Sequence, residues 1–296
     1  MKILDIYGDE YLQYLQSLYY SKETIRGVRM ATQGFIRWLK IHHEIETPER
    51  IHREHLSAWQ RHLLNVRTDK GFPLKPNSLN NRIHGVKGLL GFLAGQGVVL
   101  ESLPKALERV KVPQYLPQSV LTHAQVKKIL RNIPTSDSLG YRDRALFEIF
   151  YSSGLRAMEV LALNHNDIDF DYATALVHGK GNKDRIVPVG KTALRHLRTY
   201  AAAIRPLLIR DKNEQALFIN IRGQRCGYGM IKDRLTKYLK KLNFDVKVTS
   251  HTFRRSCTTE MIRAGANLYH VKELLGHASL ETLKHYTRLT ITDLKK

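Results

Sequence analysis

Apolar positions recur at helical spacing through the first third of the chain. Tyr11, Leu12, Leu15 and Leu18 share one face of a first predicted helix. Ser21 reads as the N-cap of a second, with Glu23 in its electropositive first turn, followed by Ile25, Val28, Thr32, Phe35, Ile36 and Leu39. Pro48 starts a short element, and Leu56, Trp59 and Leu63 line a third helix over about 55–66. Residues 69–76, with one Gly and two Pro, form a loop. A fourth helix over about 77–96 gathers Leu79, Ile83, Val86, Leu90 and Leu93. These four helices predict a helical domain over residues 1–102.

Pro104, Pro113 and Pro117 punctuate residues 103–119, which reads as an extended linker because proline cannot continue a helix interior. A second domain, 120–296, opens with Thr122 as the N-cap of a helix over 124–132. Residues 141–163 are helical with a break at Gly154. The period then changes to two: residues 168–170, 173–178 and 185–189 are short β-rich runs separated by turn residues, the last turn being Gly179-Lys180-Gly181-Asn182. Helical patterns return at 191–203, 228–242, 251–264, 268–275 and 280–285. The fold class is mainly α with a small antiparallel β-sheet.

Charge changes this picture more than composition does. The 296 residues carry 48 Lys+Arg against 27 Asp+Glu, a net charge of +21 and a pI near 10. Residues 111–296 hold +16 of that surplus. So basic a chain attracts polyanions, nucleic acid first among them. Cys226 and Cys257 have neither metal-ligand spacing nor a disulfide framework, which suits a reducing cytoplasm. No signal-peptide pattern opens the chain and no apolar run approaches the ~20 residues of a membrane span. The expectation is a cytoplasmic protein with no membrane partner.

Five short motifs in the second domain carry candidate chemistry. Gly154-Leu155-Arg156-Ala157-Met158-Glu159 places Arg156 at a helix start with Glu159 one turn on. The hairpin His178–Arg185 puts Lys180 at a glycine-flanked tip. Ser250-His251-Thr252-Phe253-Arg254-Arg255 turns His251 and Arg254 to one side of a helix. Leu274-Leu275-Gly276-His277 follows, and Tyr286 comes eight intervening residues later. Singly, each has a plain structural reading: a surface arginine, a solvated turn lysine, capping histidines, a core tyrosine.

In this order and spacing the five motifs resemble the catalytic domain of the tyrosine recombinases, the phage integrase family, over about 116–289. The resemblance implies a two-domain fold, a helical SAM-like core-binding domain followed by a mixed α/β catalytic domain. It also implies roles. Tyr286 is the nucleophile that forms a 3′-phosphotyrosine bond. Arg156 and Arg254 clamp the non-bridging phosphate oxygens with always-charged, bidentate forks. His251 takes the phenol proton, Lys180 protonates the departing 5′-oxygen, and His277 donates a hydrogen bond to the scissile phosphate. The phosphotyrosine conserves the bond energy, so neither metal nor nucleotide cofactor is expected. The implied partners are a double-stranded DNA recombination site and further copies of the chain, as a tetramer in the synaptic complex; a second recombinase or accessory protein is left open. Glu159 is expected to brace the site, and Lys183 and Arg185 to contact the DNA backbone.

Two positions depart from the common pattern: Arg255 where many members have His after the second arginine, and Arg288 where many have His after Tyr-Thr. The length is Xer-like. Ten residues follow Tyr286, short for a helix exchanged between protomers. A type IB topoisomerase shares the chemistry, but the compact helical domain and the LLGH motif favour a recombinase. A non-catalytic DNA-binding regulator would lack catalytic positions, and all six are present. For a metal nuclease, the acidic run Asp167, Asp169 and Asp171 is the one candidate cluster, and its period of two fits turns and strand faces better.

Overall fold

The computed structural model describes residues 3–113, 120–179, 183–240, 242, 244 and 248–276. The chain divides into two compact units, Met1–Gln114 and Tyr115–Lys296.

In the first unit, α1 (Leu4–Ser17), α2 (Lys22–His43), α3 (Arg53–Asn65) and α4 (Pro76–Gly95) surround one core. Phe35, Leu39, Leu56, Val86, Leu89, Leu90 and Leu93 are fully buried there. Ser21 Oγ accepts the Thr24 N–H at 3.2 Å, as its N-cap position requires. α2 and α4 pack closely at Gly85, where a Cβ would lie 2.7 Å from the Ala31 Cβ. Leu18 differs from expectation: α1 ends at Ser17, so Leu18 turns outward, and Leu4 at the helix start fills the core instead. The segment expected as linker contributes to this unit. Leu103 and Leu107 are buried in its core, and Asn80 holds both the N–H and the carbonyl of Val110, at 2.8 and 2.9 Å.

The second unit is built around α6 (Ser138–Ser153), whose Ala145, Leu146, Phe147, Ile149 and Phe150 are all fully buried. α5 (His123–Arg131) precedes it, with Thr122 and Gln125 forming a capping box. α6 stops at Gly154, in the left-handed region at φ 60°, and α7 (Ala157–Ala162) leaves in a new direction. A Cβ on Gly154 would stand 3.0 Å from Leu275 and 3.3 Å from the Cys257 sulfur. β1 (Ile168–Asp169), β2 (Thr174–Gly179) and β3 (Lys183–Pro188) form an antiparallel sheet in that order, the β2–β3 ladder running from Thr174↔Pro188 to Gly179↔Lys183. α8 (Lys191–Thr199) continues through a π-helical turn, Tyr200–Ile204, into α9 (Arg205–Leu208). α10 (Tyr228–Leu239), α11 (Ser250–Arg263) and α12 (Leu268–Leu275) complete the described elements. The expected helix over 280–285 lies outside the described residues. Between α9 and α10 the stretch Ala216–Ile219 is fully buried without forming a strand. No helix among the described residues is long and apolar enough to cross a membrane.

Candidate active site

Glu159 is the carboxylate on which the site is assembled. It sits on α7, 8% exposed, and accepts the Arg156 backbone N–H at 2.8 Å, so the helix N-cap and the site share one residue pair. The Arg156 guanidinium donates to Glu159 Oε1 at 2.9 Å and to the Gly276 carbonyl at 3.0 Å. Arg185, on β3, makes a fork onto both oxygens of the same carboxylate, at 2.9 and 3.2 Å. Arg254, on α11, approaches Glu159 Oε2 at 3.9 Å. Burial pushes the Glu159 carboxyl up, but hydrogen bonds from Arg185 and from the N–H and guanidinium of Arg156 outweigh it, and its pKa falls below the ordinary value.

The arginines are aimed by main-chain carbonyls. Arg254, nearly buried, donates to the Gly154 carbonyl at 2.9 Å, a hundred positions away in sequence, and to the Leu275 carbonyl at 2.8 Å. Its α11 is fixed in turn by Ser256, whose Oγ accepts the Leu121 N–H at 2.9 Å. Carbonyls at the ends of α6 and α12 have no partner within their own helices; here they hold guanidinium groups. The Arg156 side chain stays 40% exposed, so the cluster opens to solvent on its side. His251 lies exposed on the first turn of α11, one turn from Arg254. Partial burial of its ring, then the charges of Arg254, Arg255 and Arg156, lower its pKa below the ordinary 6.5, which keeps a neutral imidazole at pH 7.

Of the six residues expected in the site, the structure gathers Arg156 and Arg254 around one carboxylate and sets His251 beside them. Lys180, His277 and Tyr286 lie outside the described residues. Gly179 and Gly276, which immediately precede Lys180 and His277, are described, and the Gly276 carbonyl binds Arg156. Arg185, expected at the DNA backbone, has a side chain that is 14% exposed, turns inward onto Glu159 and donates to the Leu274 carbonyl at 2.8 Å. The acidic run is spent on turns, with Asp167 accepting the Asn164 N–H and Asp169 the N–H groups of Asp171 and Tyr172.

Residues 119–292 match the family model of the phage integrase family. A tyrosine recombinase XerC 2 of Ralstonia nicotianae is 33% identical over 99% of this chain and 84% of its own. A tyrosine recombinase XerD of Staphylococcus epidermidis is 30% identical over 97% of this chain and 95% of its own. The crystal structure of a lambda integrase tetramer bound to a Holliday junction superposes with a TM-score of 0.69, at 17% identity, over 94% of this chain and 78% of that one. The chain therefore belongs to the phage integrase family, as an Xer-like tyrosine recombinase that carries out site-specific DNA recombination by strand cleavage and rejoining.

Proposed function

We propose that Tyr286 attacks the scissile phosphate of a double-stranded recombination site, with Arg156, Lys180, His251, Arg254 and His277 assisting. The phenol oxygen bonds to phosphorus as the P–O5′ bond breaks, leaving a 3′-phosphotyrosine and a 5′-hydroxyl. His251 accepts the phenol proton, since a phenol of pKa about 10 is a weak nucleophile while protonated. Lys180 gives a proton to the departing oxygen. Arg156 and Arg254 hold the two non-bridging oxygens as their charge grows, and His277 adds a hydrogen bond. A 5′-hydroxyl from the partner strand then reverses the step, giving a Holliday junction without metal or nucleotide. Four copies act on two duplexes in this reading, which the lambda integrase tetramer bound to a Holliday junction supports.

The observation that supports this most is the convergence of Arg156, the N-cap of α7, and Arg254, on α11, on the buried Glu159 carboxylate, with His251 one turn from Arg254. The test is a suicide substrate carrying the recombination site, in EDTA, with Tyr286→Phe alongside. The wild type is expected to form a covalent adduct and Tyr286→Phe none. An adduct that survives the substitution, or that needs a divalent metal, overturns the assignment.

A further inference from the structure

Arg185 joins three parts of the site that the sequence keeps apart. Its fork closes on both oxygens of Glu159, the carboxylate that also holds Arg156. Its Nε binds the Leu274 carbonyl in the last turn of α12. Its guanidinium also lies under Gly276, where an added Cβ would come within 3.2 Å of Cζ and Nη1. The residue stands on β3, opposite Val177 and two positions beyond the Gly179↔Lys183 pair that closes the hairpin stem. Elsewhere on the stem, half-exposed His178 meets Asp184 at 2.9 Å and Asp167 at 3.9 Å, ties that stay within the sheet and the turn leading into it. Arg185 instead ties the stem to α7 and α12.

We infer that Arg185 is a positioning residue for the general-acid step: it locks the hairpin that carries Lys180 to the Glu159–Arg156 clamp, so that proton donor and phosphate share one frame. The inference rests on Lys180 being the general acid. Its effect must therefore appear where the leaving oxygen takes its proton. As the P–O5′ bond breaks, the electron pair goes to O5′ and a Lys180 proton follows it. When sulfur replaces that bridging oxygen, the leaving group is a thiolate, whose conjugate acid has a pKa of about 8.5, and it departs without a proton. A misplaced acid then no longer matters.

Single-turnover cleavage is measured for Arg185→Ala, Arg185→Lys and Lys180→Ala on the ordinary substrate and on one with a 5′-bridging sulfur, with DNA affinity and melting temperature recorded for each. Arg185→Ala should cleave the ordinary substrate on the order of 100-fold more slowly, the cost of a displaced catalytic group. It should regain near wild-type cleavage of the sulfur substrate, and bind DNA as tightly as the wild type. Arg185→Lys, which keeps the charge but loses the fork, should fall between. Glu159 keeps Arg156 in these variants, which favours a folded protein. If Lys180→Ala is rescued by sulfur and Arg185→Ala is not, the positioning role fails while the general-acid reading stands. If neither is rescued, the general-acid reading fails and takes this inference with it. Loss of DNA affinity in Arg185→Ala would return the residue to a DNA-backbone contact.

Discussion

Two of the arginine–carboxylate clusters among the described residues of the second unit are built differently. Around Asp143, Arg142 is fully enclosed and gives Nε and Nη2 to the carboxylate at 2.9 and 2.6 Å and Nη1 to the Ile219 carbonyl. Tyr238 donates to the other carboxylate oxygen at 2.6 Å, and burial first, then that bond, raises its phenol far above its ordinary pKa. Arg234 closes the group at 3.4 Å. That cluster ties α6 to α10 and to the strandless segment at Ile219. Around Glu159, one carboxylate faces three guanidinium groups, and Arg156 reaches the surface. A charge pair sealed from water acts as a structural tie, and removing one partner strands the other. One carboxylate among several guanidinium groups, left open on one side, leaves a ready place for an anion.

The comparison can be broken at either cluster. Arg254→Ala should lower single-turnover cleavage on the order of 10²–10³-fold, the cost of removing a preorganised donor at the phosphate, measured against unchanged DNA binding. Asp143→Ala should do the reverse. It should cost about 3 kcal/mol of stability in a denaturant titration, because Arg142 keeps only the Ile219 carbonyl among these partners. Cleavage by the folded protein should be unaffected, and a large rate loss there would erase the distinction between the two clusters. The smallest effect concerns pH. A His251 pKa held below 6.5 means that the neutral base persists as pH falls, so cleavage should rise through a midpoint below 6.5 and level off by neutrality. Arg255 contributes to that lowering, and it is one of the two positions where the chain departs from the common family pattern. Arg255→Gln should move the midpoint up toward 6.5 and slow cleavage a few-fold near pH 6, read from a pH–rate profile. A midpoint that stays in place would remove Arg255 from the site.

Local signals carried much of this architecture. The caps at Ser21 and Thr122, the break at Gly154 and the alternation of β2 and β3 are dictated by short-range chemistry, and they stand where sequence places them. What escaped depends on partners distant in sequence. Arg142 and Asp143 look like ordinary charged helix residues, and nothing local announces that Ile219 and Tyr238 will enclose them. The segment from Ala216 to Ile219 has no period because it is buried as irregular chain whose N–H groups find single partners, such as the Tyr200 hydroxyl for Ile219. Arg185 did leave a signal. Alternation puts it on the same strand face as the buried Val187 and opposite buried Val177, and a charge on a core face requires a buried counter-charge. The family motifs supplied Arg156, His251 and Arg254 as candidates, but not the carboxylate geometry that joins the two arginines.

The central claim is that the open side of the Glu159 cluster meets the charge of the scissile phosphate. The most direct test compares wild type and Arg156→Ala on two substrates, one with the ordinary phosphodiester and one with a neutral methylphosphonate at the cleavage position. If Arg156 answers that charge, the substitution should cost on the order of 10²-fold on the phosphodiester and almost nothing on the neutral substrate. An equal loss on both would contradict the account and leave Arg156 as a residue that merely braces Gly276 and Glu159.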